Sequence, residues 1–68
     1  MNSELKKYII EENLTIKEAL EKVEENHQGM IFVCSPEEEI KGLATDGDIR
    51  RALLEGASLE DPISDCAN

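Results

Sequence analysis

The sequence predicts an α/β fold, an α+β sandwich of order β-α-β-β-α, in which a small three-stranded mixed sheet carries two helices on one face. Three observations carry this. Ile16, Ala19, Leu20, Val23 and His27 recur at i, i+3, i+4, i+7 and i+11, the period of one helix face. Met30-Ile31-Phe32-Val33-Cys34 is an unbroken apolar run between Gly29 and Pro36, too short for a helix and suited to a strand covered on both faces. Gly42-Leu43-Ala44-Thr45-Asp46-Gly47-Asp48 runs off a strand pattern into a helix start.

In chain order, Met1 to Lys7 is polar and reads as a linker, and Tyr8-Ile9-Ile10 as a short strand. Thr15-Ile16-Lys17-Glu18 has the form of a capping box, with the Thr15 hydroxyl taking the Glu18 amide and Glu18 reaching back to the Thr15 amide. It opens a helix that ends over Asn26 to Gly29, with His27 at a C-terminus where the dipole favours it. The strand Met30–Cys34 turns through Ser35 to Glu39, whose acidic triplet keeps the tip in water, and returns as Ile40 to Thr45. Gly42 within that strand signals a bulge or a close backbone approach. Asp46 to Glu55 forms the second helix, with Ile49, Ala52 and Leu53 on one face and Gly56 as its C′ residue. Ser58 to Pro62 reads as a turn and Ile63 to Asn68 as a tail. A helical crossover joins the first two strands and a hairpin joins the last two, leaving the far face of the sheet open.

Size and charge narrow the possible functions. With 68 residues the chain holds one domain whose core rarely supplies more than roughly 3–5 kcal/mol unaided, so either it packs unusually well or a partner surface completes it. The formal charge of −9 and only two adjacent basic pairs, Lys6-Lys7 and Arg50-Arg51, exclude an ordinary DNA-binding surface. No apolar run reaches the roughly 20 residues of a membrane span, and Met1 to Lys7 carries no signal-peptide core, so a cytoplasmic protein or an excised fragment is expected. Cys34 reads as a buried neutral thiol, and two cysteines and one histidine far apart make a poor zinc set. Asp46-Gly47-Asp48 suggests calcium only weakly: counted from Asp46 as an EF-hand, position 6 is Arg51 and position 12 is Ala57. No serine or cysteine nucleophile has a recognisable context beside His27, so no catalytic residue is assigned and no metal is expected. Met30 and Phe32 read as core, Arg50 and Arg51 as surface residues, and the Glu clusters as a solvated face.

The most informative stretch is Thr45-Asp46-Gly47-Asp48 at the strand-to-helix junction. The amides and dipole of a helix start favour an anion, a Thr hydroxyl can donate to a phosphate oxygen, and a carboxylate can accept ribose hydroxyls. Thr-x-x-Asp is also a variant capping box that needs no ligand, and one pair of side chains can serve both roles.

Tyr8 to Gly56 resembles a single CBS (cystathionine β-synthase) domain motif, through Leu14-Thr15-Ile16-Lys17-Glu18-Ala19-Leu20, Met30 to Cys34, and Gly42 to Ile49. More narrowly, Thr45 to Leu54, Gly56 and Leu59-Glu60-Asp61-Pro62-Ile63 are similar to the first motif of the CBS pair (Bateman module) fused to sugar nucleotidyltransferases. The resemblance implies residues 1–7 as linker, 8–56 as the motif, and 57–68 as a turn entering the linker to an absent second motif. It further implies a non-catalytic regulatory module with no required cofactor. That module binds an adenine nucleotide (AMP, ADP or ATP) or S-adenosylmethionine in a cleft between two motifs, without DNA or membrane as a partner. The second motif would lie in cis in a longer protein, and for this chain a homodimer would supply it. Carried onto this sequence, Thr45 contacts phosphate and Asp48 ribose, while Ile10, Glu11 and Met30 line the base. A proline common before the first helix is replaced here by Glu12, whose charge would repel a polyphosphate. The alternative is a dimerisation module with no ligand.

Overall fold

In a computed structural model of the chain, residues 5–67 are described. A 3-10 helix over Leu5–Tyr8 leads into β1 (Ile9–Glu11), followed by α1 (Ile16–Asn26), β2 (Met30–Cys34), β3 (Ile40–Thr45), α2 (Asp46–Leu54) and a 3-10 turn, Ile63–Asp65. The sheet has three strands in the order β1-β2-β3, with β1 parallel and β3 antiparallel to β2. The expected architecture is therefore present, and the hairpin register is interrupted where Gly42 signalled it. Val33 pairs with Gly42 but Cys34 with Ile40, so Lys41 is the extra residue of a bulge.

One face of the sheet is sealed by the helices. Ile10, Ile31, Val33 and Ala44 point into the core from the strands, Ile16, Ala19 and Val23 from α1, and Ile49 from α2. Each buried isoleucine is worth about 1.5–3 kcal/mol relative to exposure. Alternation turns Ile9, Phe32 and Leu43 to the other face, where the register sets them in one cross-strand row. Phe32 is 37% exposed there and Met30 half-buried, so both correct the expectation that they are core. The continuous apolar run reads like a strand covered twice because its second face is apolar; among the described residues no α-helix covers that face.

The helix ends follow the local signals. Thr15 accepts the Glu18 amide at 3.1 Å, but Glu18 bonds the Thr15 hydroxyl at 3.1 Å, in place of the expected backbone half of the box. Glu55 caps α2, and Gly56, at φ 110°, closes it: the Gly56 amide reaches Leu53 O and the Ala57 amide Ala52 O, a Schellman motif. α1 ends instead at His27, held at φ 59° with its amide on Val23 O. A left-handed conformation strains any residue with a Cβ. His27→Gly is accordingly expected to raise the free energy of unfolding by about 0.5–1 kcal/mol, read as a higher urea midpoint at unchanged slope.

Two segments depart from the sequence reading. β1 begins one residue later than expected, because Leu5–Tyr8 forms a helical turn anchored from α1. Lys22 donates to Lys6 O (3.0 Å) and Asn26 to Lys7 O (2.8 Å). These partners lie 16 and 19 residues away, beyond any local pattern. Met1 to Glu4 of the proposed linker, and Asn68, lie outside the described residues. The segment read as a tail is a structural element. The Ile16 amide bonds Asp61 O, the Ile63 amide Leu14 O and the Ser64 amide Glu12 O. Ile63 is fully buried and Cys66 nearly so.

Candidate functional site

Thr45 ends β3 and caps α2, so its position is set by both. Its hydroxyl accepts the Asp48 amide at 3.0 Å, and the Asp48 carboxylate accepts the Thr45 amide at 3.1 Å, a complete capping box. The other Asp48 oxygen meets Arg51 at 3.3 Å, and Asp46 pairs with Arg50 one turn on. The amide of Asp46 is bonded to Gly29 O (2.8 Å). Two first-turn amides are thus satisfied within the chain, leaving fewer donors for an anion than an uncapped helix start would offer.

The Thr45 amide, then the Thr45 hydroxyl, hold the Asp48 carboxyl below its ordinary value; partial burial opposes them and Arg51 assists. The charged form is therefore favoured by folding. Its contribution is present above the unfolded value of 3.8 and is lost as pH falls through the lower folded value. Asp48→Asn removes this titration while keeping an acceptor. Between about pH 4 and about pH 2 the melting temperature of the variant is expected to fall less than that of the parent chain. Parallel pH profiles would show that the box does not depend on the charge.

The register brings Met30 directly opposite Thr45. On the Met30 side an open pocket of about 340 Å³ is lined by Tyr8, Gln28, Met30 and Phe32, within the usual size range of small-molecule sites. Lys7 places its ammonium 5.9 Å from the Tyr8 ring centroid, adding a cation beside that wall. Thr45 is thus paired with Met30 and capped by Asp48, but neither Thr45 nor Asp48 lines this pocket; Asp48 borders a separate one of about 160 Å³ with Arg51, Ala52 and Cys66. Ile10 and Glu11 line neither pocket. Ile10 is only 2% exposed and faces the helices, so only its backbone is available to a ligand. Glu11 pairs with Cys34 at the other end of β2, about 13 Å from Met30 at strand rise. Its carboxylate accepts from Asn13 at 3.1 Å.

Sequence reasoning missed Tyr8, Gln28 and Asn26. Tyr8 joins the pocket because β1 runs parallel to β2, which a strand pattern alone does not reveal. Asn26 is buried at 4% exposure and ties three segments: its amide nitrogen donates to Lys7 O (2.8 Å) and Met30 O (3.2 Å), and its oxygen accepts the Gln28 amide (2.8 Å). An Asn in the last turn of a helix was the available signal.

Cys34 and Cys66 are unpaired and buried. Burial first, then the carboxylates of Glu38, Glu11 and Glu12, push the Cys34 thiol up; burial, Asp65, Asp48 and Asp61 do the same for Cys66. Both are neutral thiols at neutral pH, as read for Cys34. Among the described residues no three His, Cys, Asp or Glu side chains are grouped to hold a metal, and no helix is long and apolar enough to cross a membrane.

Comparison with known proteins finds the CBS domain family matching residues 1–55. An uncharacterized protein of Helicobacter pylori (strain J99) is 36% identical over 55 residues, covering 81% of this chain and 17% of that protein. The arabinose 5-phosphate isomerase GutQ of Salmonella typhi is 33% identical over 51 residues, covering 75% and 16%. The chain thus spans about one sixth of the length of these curated relatives. Among solved structures, the CBS domain protein PAE2072 from Pyrobaculum aerophilum, complexed with AMP, superposes with a TM-score of 0.80 at 22% identity, covering 88% of this chain and 47% of that one. This likeness establishes a shared fold.

Proposed function

Because the chain belongs to the CBS domain family, we propose that it is half of a regulatory, non-catalytic module that binds an adenine nucleotide in a cleft closed by a second CBS motif. The observation that carries this reading is the pairing of Met30 with Thr45, which sets an apolar pocket beside the capped start of α2. The AMP bound by the Pyrobaculum protein of the same fold supports it.

In this reading the base lies against Tyr8, Met30 and Phe32. The Thr45 hydroxyl turns its proton from Asp48 to a phosphate oxygen, and Asp48 accepts ribose hydroxyls as the exposed Arg51 side chain swings away. Ile10 contributes backbone only, and Glu11 stands at the far end of the sheet. AMP, ADP, ATP and S-adenosylmethionine are the candidate ligands. Residues 57–68 would lead toward a second motif in a longer protein, and here a second copy would take its place. Binding would bias an attached catalytic unit by favouring one arrangement of the pair. A sugar nucleotidyltransferase is proposed on the likeness of Thr45 to Ile63; the 33% identical relative is instead an isomerase. Two buried, unpaired thiols fit a reducing cytoplasm.

Titration calorimetry of the chain with the four ligands tests the reading, and heat with at least one is expected. No heat with any of them, at concentrations where the chain pairs, overturns it. The second reading, a dimerisation module without ligand, is favoured by the completeness of the capping box. Both readings expect Thr45→Ala to cost about 0.5–2 kcal/mol of stability by urea unfolding. Only the first expects the variant also to weaken nucleotide binding.

A further inference from the structure

The pocket assigned above to the base is walled by Tyr8, Met30 and Phe32, with the Gln28 carboxamide at its edge. That side chain is set at the mouth by a built turn. His27 at φ 59° and Gly29 at φ 71° flank it, and its own amide is bonded to Asn26 Oδ1 at 2.8 Å. The same Asn26 side chain holds Lys7 O and Met30 O, the backbone leading into the Tyr8 wall and the backbone of the Met30 wall. The turn is therefore anchored to both sides of the pocket it borders. The carboxamide at its tip makes no hydrogen bond to another described residue.

We propose that Gln28 is the specificity-determining residue of this site and selects adenine among purine bases. The proposal rests on the nucleotide-binding reading above. A carboxamide offers one acceptor and one pair of donors. Its oxygen can accept from the 6-amino group of adenine while its nitrogen donates to the neighbouring ring nitrogen N7. On the same edge guanine and hypoxanthine present two acceptors, O6 and N7, which a carboxamide cannot match in both positions. The rings of Tyr8 and Phe32 and the Met30 side chain offer surface that holds any purine, and of the two polar groups in the lining, the Tyr8 hydroxyl and the Gln28 carboxamide, only the carboxamide pairs an acceptor with a separate donor. No charge is involved, which suits a pocket in a chain of formal charge −9.

Calorimetry of the 68-residue chain with AMP, IMP and GMP tests this, comparing the parent with Gln28→Leu and Gln28→Glu. The parent is expected to bind AMP about tenfold or more tighter than IMP or GMP. Gln28→Leu should bring the three affinities within about threefold of one another, the apolar walls holding every purine alike. Gln28→Glu keeps the acceptor but loses the donor to N7, so AMP should weaken about tenfold. The Gln28 carboxamide has no partner among the described residues, so both variants should melt with the parent. AMP bound by all three proteins with an unchanged preference over IMP and GMP overturns the role of Gln28 and leaves the nucleotide site standing. Binding of none of the three nucleotides by the parent overturns the role of Gln28, and the nucleotide site falls with it when ADP, ATP and S-adenosylmethionine also give no heat.

Discussion

Ile63→Ala is expected to lower the free energy of unfolding by about 2–5 kcal/mol, comparable to the whole stability of a core this small. Ile63 has no exposed surface and sits among Ile16, Ile31 and Ile49, all equally buried. It is held there by backbone: its amide reaches Leu14 O at 2.7 Å and the Ile16 amide reaches Asp61 O at 2.9 Å, so the segment cannot easily collapse into the void. A cavity that stays open carries the larger cost. Urea unfolding followed by circular dichroism measures it. A loss below about 1 kcal/mol would show that the C-terminal segment is an appendage to a core completed without it. A chain ending at Gly56 should behave like the variant or worse, since it also loses Cys66 and the bridge to Thr15.

The second large effect concerns the open face. Under the pairing proposed above, Phe32→Asp is expected to leave the chain monomeric at concentrations where the parent pairs, and to abolish nucleotide binding with it. Phe32 stands in the centre of the row Ile9, Phe32, Leu43, and a carboxylate there would be buried without a partner in any sheet-to-sheet contact. Phe32 lies outside the core facing the helices, so the single chain should stay folded, losing about 1–2 kcal/mol through its cross-strand contacts with Ile9 and Leu43. Sedimentation velocity and the thermal melt separate these outcomes. A parent chain that is itself monomeric at micromolar concentration would contradict the open-face argument. A variant that still pairs would place the contact elsewhere.

How much of this was legible beforehand depended on range. The α1 stripe from Ile16 to Val23, the strand Met30–Cys34, the bulge at Gly42 and the Schellman end at Gly56 are written within a few neighbouring residues, because their causes act over one turn or one strand pair. Thr45 and Asp48 were legible for the same reason: a capping box spans four residues. The rest of the site was not. Met30 joins it through pairing with Thr45, and Tyr8 through the parallel course of β1 beside β2. Ile10 looked equivalent to Ile9 until alternation put one in the core and the other on the open face.

The sequence by itself determined the order of elements, the capped junction at Thr45 and the apolar run of β2, since periodicity and caps act locally. Only the tertiary structure decided that Leu5–Tyr8 winds onto α1, that Ile63 closes the core, and that Tyr8, Gln28 and Met30 border one pocket. Those arrangements rest on hydrogen bonds and strand register between residues far apart in the chain, such as Asn26 to Lys7 and Ile63 to Leu14. They arise only when the packed sheet brings those residues together.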